Sequence, residues 1–187
     1  MMSPEPFKIL LIGGGGREHA IAWKLSQSPR ISHIYVCPGN GGTASLNKTT
    51  NIASVSATDF PGLVNFARQQ NINFLLPGPE QPLVDGIVDI FQQQAPDILC
   101  FGPSKRAATM EGSKTFAKDF MKQYSIPTAT YSNFSNYSSA KTYLDSVHHS
   151  VVVLVRGRRG TGFGRSCDGP QIDLPMFPHP IARSWYD

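Results

Sequence analysis

Three groups of residues have the types and spacing that could do chemistry. The first is Gly13-Gly14-Gly15-Gly16-Arg17-Glu18-His19, four glycines set between an apolar run and a segment of helical spacing. Glycine lets the backbone turn tightly and lets a ligand approach closely. A helix that starts there points its free N–H groups at the turn, which makes an anion site. The second and third groups are Pro38-Gly39-Asn40-Gly41-Gly42-Thr43 and Pro77-Gly78-Pro79-Glu80, each again following a short apolar run. The first group reads as a phosphate-binding loop but makes a poor dinucleotide fingerprint. Glu18 stands where the last glycine of that pattern belongs, and the second strand runs into Pro38-Gly39-Asn40 with no acidic residue. A nicotinamide-dependent dehydrogenase is therefore disfavoured.

These groups need elements to position them. Residues 7–12 predict a buried parallel strand and 18–27 the helix after it, stopped at Ser28-Pro29. Residues 33–36 predict a second strand. Thr58-Asp59 caps a helix reaching to about Gln70, with Leu63, Val64 and Ala67 on one face. Strands are expected at 73–76 and 98–101, and between them Leu83, Val84, Ile87, Val88 and Phe91 recur with helical spacing. This alternation predicts an α/β fold, an open parallel doubly wound sheet with helices on both faces. In such sheets ligands bind outside the carboxyl ends of the strands. Read singly, the three loops could be ordinary tight turns, but each follows a strand and none follows a helix. Past Pro103 a second unit is expected: helical patterns over 104–124 and 137–147, a strand beginning at 126–129 and another at 151–153.

The 187 residues carry a net charge of +4 with 16% charged and 40% hydrophobic residues, enough for a buried core. No basic, aromatic-interleaved patch occurs in the first 150 residues, so no nucleic-acid partner is expected. Three scattered cysteines point to reduced thiols, not to a disulfide frame or a metal site. No signal-peptide pattern and no membrane-length apolar run is seen, and a cytoplasmic protein is expected.

Six ordered motifs make a specific resemblance: Gly-Gly-Gly-Gly-Arg-Glu-His-Ala (13–20), Pro-Gly-Asn-Gly-Gly-Thr (38–43), Gly-Pro-Glu-Gln-Pro-Leu-Val (78–84), Phe-Gly-Pro-Ser (101–104), Met-Glu-Gly-Ser-Lys (110–114) and Lys-Asp-Phe-Met (118–121). Over residues 7–153 the chain resembles phosphoribosylamine–glycine ligase, also called glycinamide ribonucleotide synthetase, an ATP-grasp ligase. The resemblance implies a pre-ATP-grasp substrate domain over 7–103 and the beginning of an ATP-grasp domain over 104–153. It implies ATP-dependent joining of 5-phosphoribosylamine to glycine through a glycyl phosphate, in purine synthesis, with ATP and Mg²⁺ or Mn²⁺ as cofactors. Phosphate would lie on the N–H groups of Gly14, Gly15 and Gly16. Arg17 could contact that phosphate or pair with an acid at the helix start. Glu18, Asn40 and Glu80 are candidate acceptors for ribose hydroxyls and the amine, and Pro38, Gly39, Gly78 and Pro79 complete the loops. His19 is expected to pack or cap. Lys114 matches a family lysine that contacts nucleotide phosphates. In fungi and animals the family's ligase is commonly the first part of a multifunctional polypeptide.

After Val153 the family pattern calls for a Val-Lys pair and a second glycine loop, whereas Leu154 stands at the lysine position here. Residues 154–187 hold five Arg, no Lys, five Gly and four Pro, against eight Lys and four Arg before them. That stretch is expected to be an irregular, disordered tail, read as an out-of-frame or alternatively spliced ending. The chain is then expected to be a truncated ligase without turnover, with no complete catalytic set and no metal site of its own. The competing function is a non-catalytic module that keeps the sugar-phosphate site or pairs with the full-length ligase.

Overall fold

The computed structural model describes residues 5–148, 151–156 and 162–167. The chain divides into two compact units, the first ending at Lys114. The first unit therefore takes in eleven residues beyond the boundary expected at 103/104.

In the first unit, β1 (Phe7–Gly13), β2 (Ile31–Pro38), β3 (Thr49–Asn51), β4 (Phe74–Pro77) and β5 (Leu99–Cys100) form one sheet in the order β3-β2-β1-β4-β5. Every neighbouring pair is parallel. Alternation along β1 builds both faces of the core. Leu10 and Ile12 face one side, packed with Leu63, Val64 and Ala67 of α3 (Phe60–Gln69) and Ile87, Val88 and Phe91 of α5 (Ile87–Gln94). Ile9 and Leu11 face the other, with Ile34, Val36 and Ala22 of α1 (Gly16–Ser26). Helices thus cover both faces, as the apolar spacing predicts. Beside α1 an apolar groove of about 290 Å³ opens between Phe7, Ile9, Leu25, Ile31, Phe74, Leu76 and Phe101, away from the glycine loops.

Several elements differ from expectation. α2 (Gly41–Ala44) and β3 were not foreseen, because one is a single turn and the other a polar Thr-Thr-Asn strand without an apolar period. The helix expected over 83–91 is two: α4 (Glu80–Asp85) ends at Gly86, whose φ of 99° is left-handed and stops the coil, and α5 follows. The helix expected over 104–124 is also two, α6 (Lys105–Gly112), capped by the Ser104 hydroxyl, and α7 (Lys114–Gln123). Ser113 between them is extended, with φ −135° and ψ 101°.

The second unit contains the rest of α7, α8 (Tyr137–Ser146) capped by the Asn136 side chain, and an antiparallel hairpin of β6 (Val151–Arg156) and β7 (Gly162–Cys167). Residues 126–129 are not a strand. Pro127 has no N–H to give to a ladder, and the Ala129 carbonyl accepts from Lys118 Nζ at 3.2 Å instead. Within the stretch expected to be an irregular tail, residues 154–156 and 162–167 are paired strand. The remainder of that expectation falls outside the described residues.

Candidate functional site

The chain steps from β1 to β2 to β3 on one side, then returns past β1 to β4 and β5 on the other. The reversal leaves a crevice between the carboxyl ends of β1 and β4, the place where open α/β sheets take ligands. All three glycine-containing loops meet at this edge. The Gly39 N–H donates to the Gly13 carbonyl at 3.2 Å and the Gly78 N–H to the Ile12 carbonyl at 2.8 Å, tying the β2 and β4 loops to the end of β1.

At the centre lies Glu18, at 3% exposure one of only two buried polar residues among those described. It is the third residue of α1 and reaches back so that its Oε2 accepts the Gly15 N–H at 2.7 Å. Its Oε1 is buried without a hydrogen-bond partner, and Arg17 Nε lies 3.7 Å away. Glycine is required beside it. A Cβ on Gly13, already at φ 127°, would fall 2.6 Å from the Glu18 carboxyl carbon, and one on Gly78 2.4 Å from Oε1. The carboxylate therefore fills the space that the missing side chains leave between the two loops.

This arrangement changes the expected donor set. Of the three glycine N–H groups assigned to phosphate, that of Gly15 is taken by Glu18. The first-turn N–H groups of Gly16 and Arg17 have no acceptor within the helix, and both residues are exposed. They keep the anion-binding character of a helix start.

Asn40 turns out to be a brace. Its Oδ1 accepts the Thr43 N–H at 3.0 Å, capping α2, and its Nδ2 donates to the Gly14 and Gly15 carbonyls at 3.0 and 3.2 Å. Its own N–H goes to Thr43 Oγ1 at 2.8 Å, and its carbonyl accepts from Asn51 Nδ2 at 2.8 Å. With these groups engaged, the structure gives Asn40 a bracing role between the loops. Thr43 and Asn51, 2.7 Å apart through Oγ1 and Oδ1, complete the brace, a role not expected of either residue. The Asn40-x-x-Thr43 spacing was the available signal for Thr43; eleven residues separate Asn51 from Asn40, and nothing local marks it. Pro38, after a cis Cys37–Pro38 bond, and Gly39, at φ 74°, shape the turn between β2 and the brace. The His19 ring packs against α2, close enough that a Cβ on Gly42 would meet it at 2.5 Å. Cys37 is buried under this loop, its Sγ 3.3 Å from the Val55 carbonyl, and burial pushes its thiol pKa up.

Across the crevice Glu80, with Pro79 at the N-cap of α4, sends Oε2 to Arg17 Nη2 at 3.4 Å. Its carboxyl is held below the ordinary value, first by its own backbone N–H and then by Arg17, with burial opposing. The edge thus offers helix N–H donors, one guanidinium and one half-exposed carboxylate, a set suited to an anion that also carries hydroxyl or amine donors. Lys114 is exposed at the first position of α7, and no hydrogen bond or ion pair among the described residues joins it to the loops. No group of three or more His, Cys, Asp or Glu among the described residues is placed to hold a metal ion, and no described helix is long and apolar enough to cross a membrane.

Comparison with known proteins gives a consistent picture. The family profile "Phosphoribosylglycinamide synthetase, N domain" matches residues 7–111, and the profile of the same synthetase's ATP-grasp (A) domain matches 112–163. The chain is 51% identical over 154 residues to the bifunctional purine biosynthetic protein PUR2,5 of Pichia angusta, covering 82% of this chain and 19% of that protein. It is 49% identical over 150 residues to phosphoribosylamine–glycine ligase of Allochromatium vinosum, covering 80% of this chain and 34% of that one. Among solved structures, phosphoribosylamine–glycine ligase of Thermotoga maritima shares the fold at a TM-score of 0.60 and 24% identity, over 87% of this chain and 36% of that one. The chain thus spans between a fifth and about a third of the length of these relatives.

Proposed function

We propose, for a chain that belongs to the phosphoribosylglycinamide synthetase family, that the first unit binds 5-phosphoribosylamine at the carboxyl edge of β1, β2 and β4. The observation that carries this reading is the facing of the open first turn of α1 by the Glu80 carboxylate across the crevice. The phosphate lies on the N–H groups of Gly14, Gly16 and Arg17, with the Arg17 guanidinium as a charged fork beside it. Glu80 accepts from the ribose hydroxyls or the amine. Gly15 and Glu18 set the shape of the loop, Asn40 braces it, and Pro38, Gly39, Gly78 and Pro79 wall the crevice.

The reaction served is the ATP-dependent joining of this amine to glycine, with glycyl phosphate as the activated acid. Lys114 contributes to the nucleotide phosphates. Mg²⁺ or Mn²⁺ belongs to such a reaction, but the described residues supply no acidic donor set for it. The chain's own contribution is positioning: holding the amine donor in one orientation removes the entropy of a bimolecular encounter. The protein works in the cytoplasm and, as the bifunctional relatives suggest, as the first part of a multifunctional polypeptide.

Two measurements test the reading. Ribose 5-phosphate, a stable stand-in for the glycosylamine, should bind the 187-residue chain and shift the amide resonances of residues 14–17 and 80. ATP- and Mg²⁺-dependent ligation should appear only in a version continued with the family sequence after Val153. Absence of ribose 5-phosphate binding would overturn the site, and ligation by the 187-residue chain itself would overturn the assignment of turnover to the longer form.

A further inference from the structure

Glu18 is a buried carboxylate with one oxygen spent on the loop and the other unpartnered. An unpaired buried polar atom carries a desolvation cost, so its retention in a fold needs a compensating role. The nearest opposite charge is Arg17, whose Nε lies 3.7 Å from Oε1 and whose Nη2 lies 3.4 Å from Glu80 Oε2. Arg17 and Glu80 are both more than half exposed, and an exposed pair alone holds its geometry weakly. Glu18 is different, since Gly13 and Gly78 close on it and the Gly15 N–H pins it. It is a carboxylate held in place at the root of an exposed guanidinium. We infer that Glu18 is a positioning residue, which anchors Arg17 from below so that Arg17 in turn holds the Glu80 carboxylate over the crevice.

This inference rests on the proposed site only for its effect on substrate; the positioning itself is a property of the ligand-free protein. Glu18→Gln separates the two duties of the residue. The amide oxygen can still accept the Gly15 N–H, while the amide nitrogen carries no charge to anchor Arg17. In the ligand-free 187-residue chain, the titration midpoint of Glu80, followed by carboxyl carbon NMR, should rise in Glu18→Gln because Arg17 is released. Simple removal of a neighbouring negative charge would move it the other way, as would an Arg17 freed to bind Glu80 more closely. A fall or no change therefore overturns the inference.

The second arm is a double-mutant cycle read by ribose 5-phosphate affinity. Glu18→Gln should weaken binding about tenfold when Arg17 is present, the scale of one lost hydrogen bond to a charged group. In an Arg17→Ala background the same change should cost less than about twofold, as expected when the coupling partner is gone. Equal losses in both backgrounds would mean Glu18 acts on the loop alone and would overturn the inference. If the wild-type chain does not bind ribose 5-phosphate, the site reading fails and the ligand-free titration still decides the role of Glu18. Should Glu18→Gln fail to fold, the Glu80 midpoint in Arg17→Lys decides instead. Lysine has one charge and no Nε–Nη fork, so the midpoint should rise if the bridging geometry matters and stay in place if it does not.

Discussion

Replacing Gly78 by alanine should damage the site although no ligand group is removed. The backbone at Gly78 is not left-handed, so the penalty comes from space. The new Cβ would stand 2.4 Å from Glu18 Oε1, 2.5 Å from its Cγ and 2.7 Å from its Cδ. Those atoms belong to a side chain that is buried and hydrogen-bonded, not to the free end of a flexible one. Either the β4 loop moves out or Glu18 leaves the Gly15 N–H. Overpacking of this kind costs about 1–3 kcal/mol, and losing a hydrogen bond to a charged acceptor costs about 1.5–3 kcal/mol. Against this, alanine stiffens the unfolded chain by about 0.4–1 kcal/mol. Loop movement and bond loss are alternatives, so the net expectation is a loss of about 1–2 kcal/mol, with amide exchange at Gly15 accelerated. Gly16→Ala is the control: nothing lies within 4 Å of its Cβ, and the same stiffening of the unfolded chain should leave it about 0.4–1 kcal/mol more stable than wild type. Urea unfolding followed by circular dichroism measures the first quantity and hydrogen exchange the second. A Gly78→Ala protein as stable as Gly16→Ala, with Gly15 still protected, would refute the idea that the loops are wrapped around Glu18.

The remaining predictions concern the brace and the pH response. Asn40→Ala removes the cap of α2 and both bonds to the glycine-loop carbonyls. It should cost about 1–2 kcal/mol in urea unfolding and broaden the resonances of residues 14–16; an unchanged midpoint would contradict the brace. The Glu80 carboxyl is held below its ordinary value of 4.5 in the folded protein. Its contribution to stability is therefore present above that value and is lost as pH falls through the lower, folded-state value. Arg17→Ala should abolish only part of this depression, because the backbone N–H of Glu80 is its larger cause. An NMR titration in which Arg17→Ala restores the full ordinary value would reverse that ranking.

What could be read from the residues alone follows from how local each signal was. β1, α1 and α3 were legible because each carries its own signal, apolar spacing, a glycine turn or the Asp59 cap, within a few residues of the element it marks. The three loops were legible for the same reason, and their meeting at one edge followed from parallel topology. The breaks at Gly86 and Ser113 were not legible, since the apolar period runs on through both. Ile126 and Ala129 suggested a strand, but a strand exists only where another pairs with it. Within the site, residue types pointed to Glu18 and Asn40 as ligand acceptors. The fold instead spends the Asn40 groups on Gly14, Gly15, Thr43 and Asn51, and buries Glu18. A polar side chain near a loop can serve a ligand or the backbone, and only the three-dimensional count of its partners distinguishes the two.

The sheet's uneven strand lengths give the protein a graded order of opening. β3 pairs with β2 over three residues and β5 with β4 over two, while β1 is flanked along most of its length. Thermal fraying starts where the fewest hydrogen bonds must break together, so the two margins loosen while the middle stays intact. Asn51, the last residue of β3, belongs to such a margin, and the loop after β2 is tethered to it through the Asn40 carbonyl. Excursions at that border slacken one wall of the crevice while the Glu18 knot on β1 keeps its form. Breathing along the β3 side thus alters the edge of the crevice at far less than the free energy of unfolding the domain.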